Sequence, residues 1–181
     1  MNITGALYYL INIVSSLYIL CVMLRFFLQW VKADFFNPLC QFLMKVTNPL
    51  LLPLRRVIPG FFKLDLAAVV LMLILQIIAL LLMAVVTSYP IGWYVIIIAI
   101  FKLLQMVLNL FFWAILIRAV ISWVSPHPHN PLVILLTQLT EPLLRPARRI
   151  LPTISGFDLS PLVVLIILQL IAILFGRFTG L

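Results

Sequence analysis

Pro49-Leu50-Leu51-Leu52-Pro53-Leu54-Arg55-Arg56-Val57-Ile58-Pro59 returns 93 residues later as Pro142-Leu143-Leu144-Arg145-Pro146-Ala147-Arg148-Arg149-Ile150-Leu151-Pro152. The match extends outward in both directions without a gap, so that residues 25–81 align with 118–174. Arg25 returns as Arg118, Trp30 as Trp123, Asn37-Pro38 as Asn130-Pro131, Asp65 as Asp158 and Gln76 as Gln169. These are mostly polar, charged or proline positions, whereas chance matches in a chain that is 66% hydrophobic fall mostly on leucine. The chain is a tandem duplication, and its architecture is read one repeat at a time.

With 9% charged residues and a mean hydropathy of +1.30, the composition is that of an integral membrane protein. The apolar runs are long and continuous, which selects helices over the short alternating segments of a β-barrel. Four runs stand out, at about 6–31, 66–86, 93–124 and 160–178. As a helix, segment 66–86 is ~31 Å long, enough to cross the hydrocarbon core. The expected fold is an all-α membrane protein with four transmembrane helices in two parallel two-helix repeats. Each repeat adds a Pro-broken amphipathic interfacial segment. The first repeat covers 1–88 with its interfacial segment at 37–60; the second covers 93–181 with the segment at 130–153. Two crossings per repeat return the chain to its starting side, which predicts parallel repeats about a pseudo-twofold axis along the membrane normal.

Charge sets the expected orientation. The net charge is +8, and the basic residues gather between the apolar runs: Lys32, Lys45, Arg55, Arg56 and Lys63 in one repeat, Arg145, Arg148 and Arg149 in the other. The link 87–92 carries none. The positive-inside rule places both basic segments in the cytoplasm and both termini in the periplasm, with Arg177 the one dissenting charge. No Lys or Arg precedes Arg25, so the first run reads as a retained helix and not a cleaved signal. Cys21 and Cys40 face Ala114 and Val133 in the second repeat, so they read as small apolar fillers.

In the interfacial segments, apolar side chains alternate with prolines and arginine pairs. The simplest physical solution is a segment lying in the membrane interface, leucines toward the acyl chains and Arg55, Arg56, Arg145, Arg148 and Arg149 at headgroup level. Anionic lipid then contributes roughly 1 kcal/mol per arginine. A re-entrant loop packed against the helices, or a docking surface for a cytoplasmic partner, are the other readings of these segments; for the chain as a whole a membrane-protein partner or a homo-oligomer is also open. The doubled pattern Asn-Pro … Pro-Leu-Leu-x-Pro-x-Arg-Arg-[Val/Ile]-[Ile/Leu]-Pro … Asp resembles the YggT family of small bacterial inner-membrane proteins, in its two-repeat proteobacterial form. The resemblance implies a multi-pass inner-membrane protein with no catalytic activity. It also implies links to osmotic or envelope stress, ion homeostasis, cell division or, in plastids, haem attachment.

Several polar groups fall inside the apolar runs. Arg25 and Arg118 can snorkel to the interface, or pair with Asp65 and Asp158 to close each helical hairpin; the two acids serve equally well as plain helix caps. Gln76 and Gln169 fall near the bilayer midplane, where amides bond across helix interfaces, and their repetition suits a meeting near the pseudo-axis. Lys102, Gln105 and Asn109 share one helix face. His127 and His129 sit in a proline-rich turn that reads as solvated, with no metal assigned.

No P-loop, G-x-G-x-x-G, H-E-x-x-H or G-x-S-x-G is present, and the chain has two histidines and four acids in all. The expected function is non-enzymatic, without cofactor or metal: an accessory or scaffold protein whose Arg pairs hold anionic lipid or a partner. Nucleic acid is not an expected partner, because the arginines alternate with Leu and Pro at lipid depth. The rivals are an oligomeric ion transporter or channel subunit using the polar face, and an assembly factor for haem-protein or cell-division complexes.

Overall fold

A computed structural model describes residues 3–58, 64–88, 90, 92–124, 130–150 and 158–179. They form six helices: α1 (Ile3–Trp30), α2 (Pro38–Val57), α3 (Leu66–Thr87), α4 (Val95–Val124), α5 (Pro131–Ile150) and α6 (Ser160–Thr179). The turn with His127 and His129, the segment with Lys63, and the Trp123 and Arg177 side chains lie outside the described residues.

Three helices, α1, α3 and α4, are long and apolar enough to cross a membrane. The fourth expected span, α6, carries a shorter apolar stretch, Ser160–Gly176. Leu10 and Val14 on α1, Ile78 and Leu82 on α3, and Ile97 and Ile100 on α4 are all exposed, as lipid-facing side chains must be. The helices stop at local signals. Asp65 caps α3 by accepting the Ala68 N–H at 3.3 Å, and Ser88, in the left-handed region at φ 54°, closes its far end.

The expected break in the interfacial segments is corrected: α2 runs unbroken through Pro49 and Pro53, and α5 through Pro142 and Pro146. Each proline removes one helical N–H, but its fixed φ is itself helical. Packing then holds the helix together. Cys40, Leu43, Thr47 and Leu51 recur at helical spacing and are buried, as are Leu135, Leu139, Thr140 and Leu144 in α5. The Tyr18 hydroxyl donates to the Val46 carbonyl at 3.2 Å, about one turn before Pro49 and two before Pro53.

Within each repeat the two long helices pack as a pair, α1 with α3 and α4 with α6. Arg55 reaches both Gln29 at the end of α1 and Asp65 at the start of α3, so these termini share one end of the bundle. Asn37 Nδ2 donates to the Pro131 carbonyl at 3.0 Å, which brings the basic ends of both repeats to the same side. Leu51 packs in one cluster with Val22, Met23, Ala67 and Leu71. The middle of α2 therefore crosses the hairpin inboard of these helix ends, about two turns from the end of α1 and one from the start of α3.

The pseudo-twofold axis is also corrected. α4 packs against α3, but α6 and α1, which a twofold would pair alike, make no comparable contact. The short link between α3 and α4 pins those two together, and nothing pins α6 to α1.

Candidate functional site

The polar chemistry of the chain converges at the basic end, where each repeat builds the same clasp. The Arg25 side chain is buried, and its Nη1 donates to Thr47 Oγ1 at 2.6 Å and Asn48 Oδ1 at 2.8 Å. Thr47 in turn donates to the Leu43 carbonyl at 2.6 Å. In the second repeat Arg118 Nη1 donates to Thr140 Oγ1 at 2.7 Å, and Nη2 pairs with Glu141 Oε2 at 2.9 Å. A buried guanidinium needs all its donors met, and here α2, or α5 in the second repeat, meets several of them.

The expected pairs Arg25–Asp65 and Arg118–Asp158 do not form. Asp65 accepts from Arg55, through Nε at 3.1 Å and a closer contact from Nη2, while Arg55 Nη2 also reaches Gln29 Oε1 at 3.1 Å. Asp158 Oδ2 accepts from Arg148 Nε at 2.7 Å. The physical reason is the position of α2 and α5: each crosses its hairpin, so its own residues are nearest to the arginine of the first span and the acid of the second. The hairpin is closed by the interfacial arginine and not by the one in the span.

In the second repeat the two contacts fuse. Arg148 Nη1 also reaches Glu141 Oε1 at 3.1 Å, giving a continuous chain Arg118–Glu141–Arg148–Asp158. Burial pulls the Asp158 carboxyl upward, but hydrogen bonds from Ser160 and Arg148 and the Arg148 charge outweigh it, so its pKa falls below the ordinary carboxylate value. Burial alone lowers Arg148, but Asp158 and Glu141 raise it overall.

Sequence reading missed Thr47, Thr140, Asn48, Glu141 and Gln29. A signal existed for the threonines, which stand at repeat-equivalent positions 22 residues after Arg25 and Arg118. Asn48 and Glu141 are equivalent in position but differ in type, and Gln29 has Ser122 as its counterpart, so none repeats.

Of the five arginines assigned to headgroups, Arg55 and Arg148 pair with acids in the clasps, Arg148 while exposed, whereas Arg56, Arg145 and Arg149 are exposed and make no ion pair among the described residues. Arg145 lines a recess of about 520 Å³ together with Trp30, Gln138, Glu141 and Pro142. The Gln138 Oε1 in that helix is buried without a hydrogen-bond partner. Beside the cations, the outer faces of α2 and α5 expose Phe42, Leu50, Leu52, Ile134 and Ile150.

The other polar positions do not gather. Gln76 is buried and Gln169 exposed, and no hydrogen bond joins them, so they do not meet at an axis. Lys102 and Gln105 are half-buried and Asn109 is exposed. Asn109 and Ser16 are the polar members of an otherwise apolar open groove of about 500 Å³ between α1, α4 and α5.

The CCB3/YggT family pattern matches residues 4–86 and again 97–179, the same spacing as the repeat. The chain belongs to the CCB3/YggT family. It is 41% identical over 176 residues to an uncharacterised protein of Pseudomonas aeruginosa, covering 96% of this chain and 89% of that one. To the uncharacterised protein YggT of Escherichia coli K12 it is 42% identical over 168 residues, covering 92% and 87%. An uncharacterised Vibrio alginolyticus protein is 41% identical over 175 residues, covering 95% and 94%. No solved structure matches the chain.

Proposed function

We propose that this chain is a non-enzymatic, multi-pass accessory protein of the bacterial inner membrane. Its interfacial helices lie at the cytoplasmic surface and gather anionic lipid. One observation carries the reading: α2 and α5 are clasped to the long helices by ion pairs, while their outward faces mix bulky apolar residues with Arg56, Arg145 and Arg149, which have no ion-pair partner among the described residues. Apolar residues beside arginine suit the boundary between acyl chains and phosphate, and neither water nor hydrocarbon alone. A scaffold role, and a link to osmotic or envelope stress and ion homeostasis, follow from the family resemblance and would act through this surface.

The test is lipid retention by the purified protein in nanodiscs of mixed phosphatidylglycerol and phosphatidylethanolamine, read by native mass spectrometry. The wild type should enrich the anionic lipid. The combined variant Arg56→Ser, Arg145→Ser and Arg149→Ser should lose the preference, with about 3 kcal/mol removed for three arginines. Equal retention of both lipids by the wild type would end this reading.

A further inference from the structure

The two repeats bury different amounts of the same surface. On α3, Leu73, Ile77, Leu80 and Leu81 are half-buried and Gln76 is buried, forming one stripe at helical spacing. Their equivalents on α6 are Ile166, Gln169, Leu170, Ile173 and Leu174, and all five are exposed. Both helices have the same partners inside their own repeat, since α1 and α2 flank α3 as α4 and α5 flank α6. What α3 has in addition is α4 of the next repeat. That extra neighbour distinguishes the half-covered stripe of α3 from its exposed twin on α6.

The complementary half is exposed too. α4 meets the first repeat through Leu103, Met106, Val107 and Leu110, which pack against the α1–α3 core. Their equivalents on α1 are Leu10, Ile13, Val14 and Leu17, and all are exposed. The chain thus carries both faces of an interface that it has already formed once internally.

We infer that a second copy of this chain docks its α1 on α6 head to tail, as α4 docks on α3. The chain termini permit it. The end of α3 and the start of α4 lie together at the end of the bundle opposite the clasps, and the end of α6 and start of α1 fall at that same end. Gln169 lies ~13 Å into its helix and is exposed. Gln76 at the equivalent position is covered by protein. The contact is heterologous, so it closes into a ring or continues from copy to copy. It is independent of the lipid-binding reading, which concerns the opposite end.

Disulfide trapping in native membranes tests this, on a background of Cys21→Ala and Cys40→Val, the residue types of the second repeat. Val14→Cys with Leu170→Cys should give dimers and a ladder of higher species on oxidation. Val14→Cys with Ile167→Cys should not, because Ile167 is equally exposed but its equivalent Ile74 is exposed as well. Unmodified protein in nanodiscs should have the mass of two or more copies. A monomer by mass with no trapped dimer overturns the inference and leaves the stripe to lipid. Dimers from Leu170→Cys alone overturn it in favour of a symmetric contact through α6. Trapping of a different protein overturns it as well.

Discussion

The first repeat hides its clasp and the second wears it open. Asp65 is buried, with its side chain 6% exposed, whereas Asp158 is 34% exposed. Asn37 is buried against the second repeat and Asn130 is exposed. Where water is scarce the first repeat uses a neutral amide, Asn48, beside Arg25; where water reaches, the second uses Glu141 and links four charges in a row. A duplicated sequence has diverged according to its surroundings: the buried Arg25 is met by neutral oxygens, whereas the less buried Arg118 joins a row of charges that solvent screens.

The sharpest way to break this comparison is to remove the two capping acids. Asp65→Ala takes a cap and the partner of Arg55 from a buried site and should cost about 3 kcal/mol. Asp158→Ala acts on a screened pair and should cost about 1 kcal/mol. Reversible unfolding in mixed micelles reads both; equal losses would show that the burial difference has no energetic consequence. A smaller effect is expected from giving the first repeat the acid of the second. Asn48→Glu places a carboxylate between Arg25 and Arg55 and should stabilise by about 1 kcal/mol, and more when Asp65 is already alanine. If the gain is the same in both backgrounds, the two contacts of the first repeat are not coupled.

Acid should produce the smallest effect. Because the Asp158 pKa is lowered on folding, its contribution is complete above the ordinary carboxylate value of about 4 and fades as pH falls through the lower folded value. Stability of the wild type should decline below about pH 4, and Asp158→Asn should flatten that decline. An unchanged slope in the variant would assign the acid sensitivity elsewhere.

The positions that show the limits of sequence reading are the arginines. Arg25 and Asp65 are repeated charges of opposite sign at one membrane side, so pairing them is the direct inference. It fails because an amphipathic helix lies between them, and Arg55 and Thr47 on that helix are nearer. The prolines mislead for a related reason: their local cost is real, but the buried stripe of Leu43, Thr47 and Leu51 outweighs it. The glutamines mislead because repetition implies equivalence, and Gln76 and Gln169 are equivalent in sequence but not in surroundings.

Sequence alone determined the duplication, the helical membrane-type class and the family, because apolar period, proline position and charge placement are local properties that a linear pattern records. Only the tertiary structure decided which arginine meets which acid, that α2 and α5 run unbroken through their prolines, and that a stripe half-buried on α3 is exposed on α6. Those outcomes depend on which side chains lie nearest after packing, and a repeated sequence carries no record of where its second copy ends the stack.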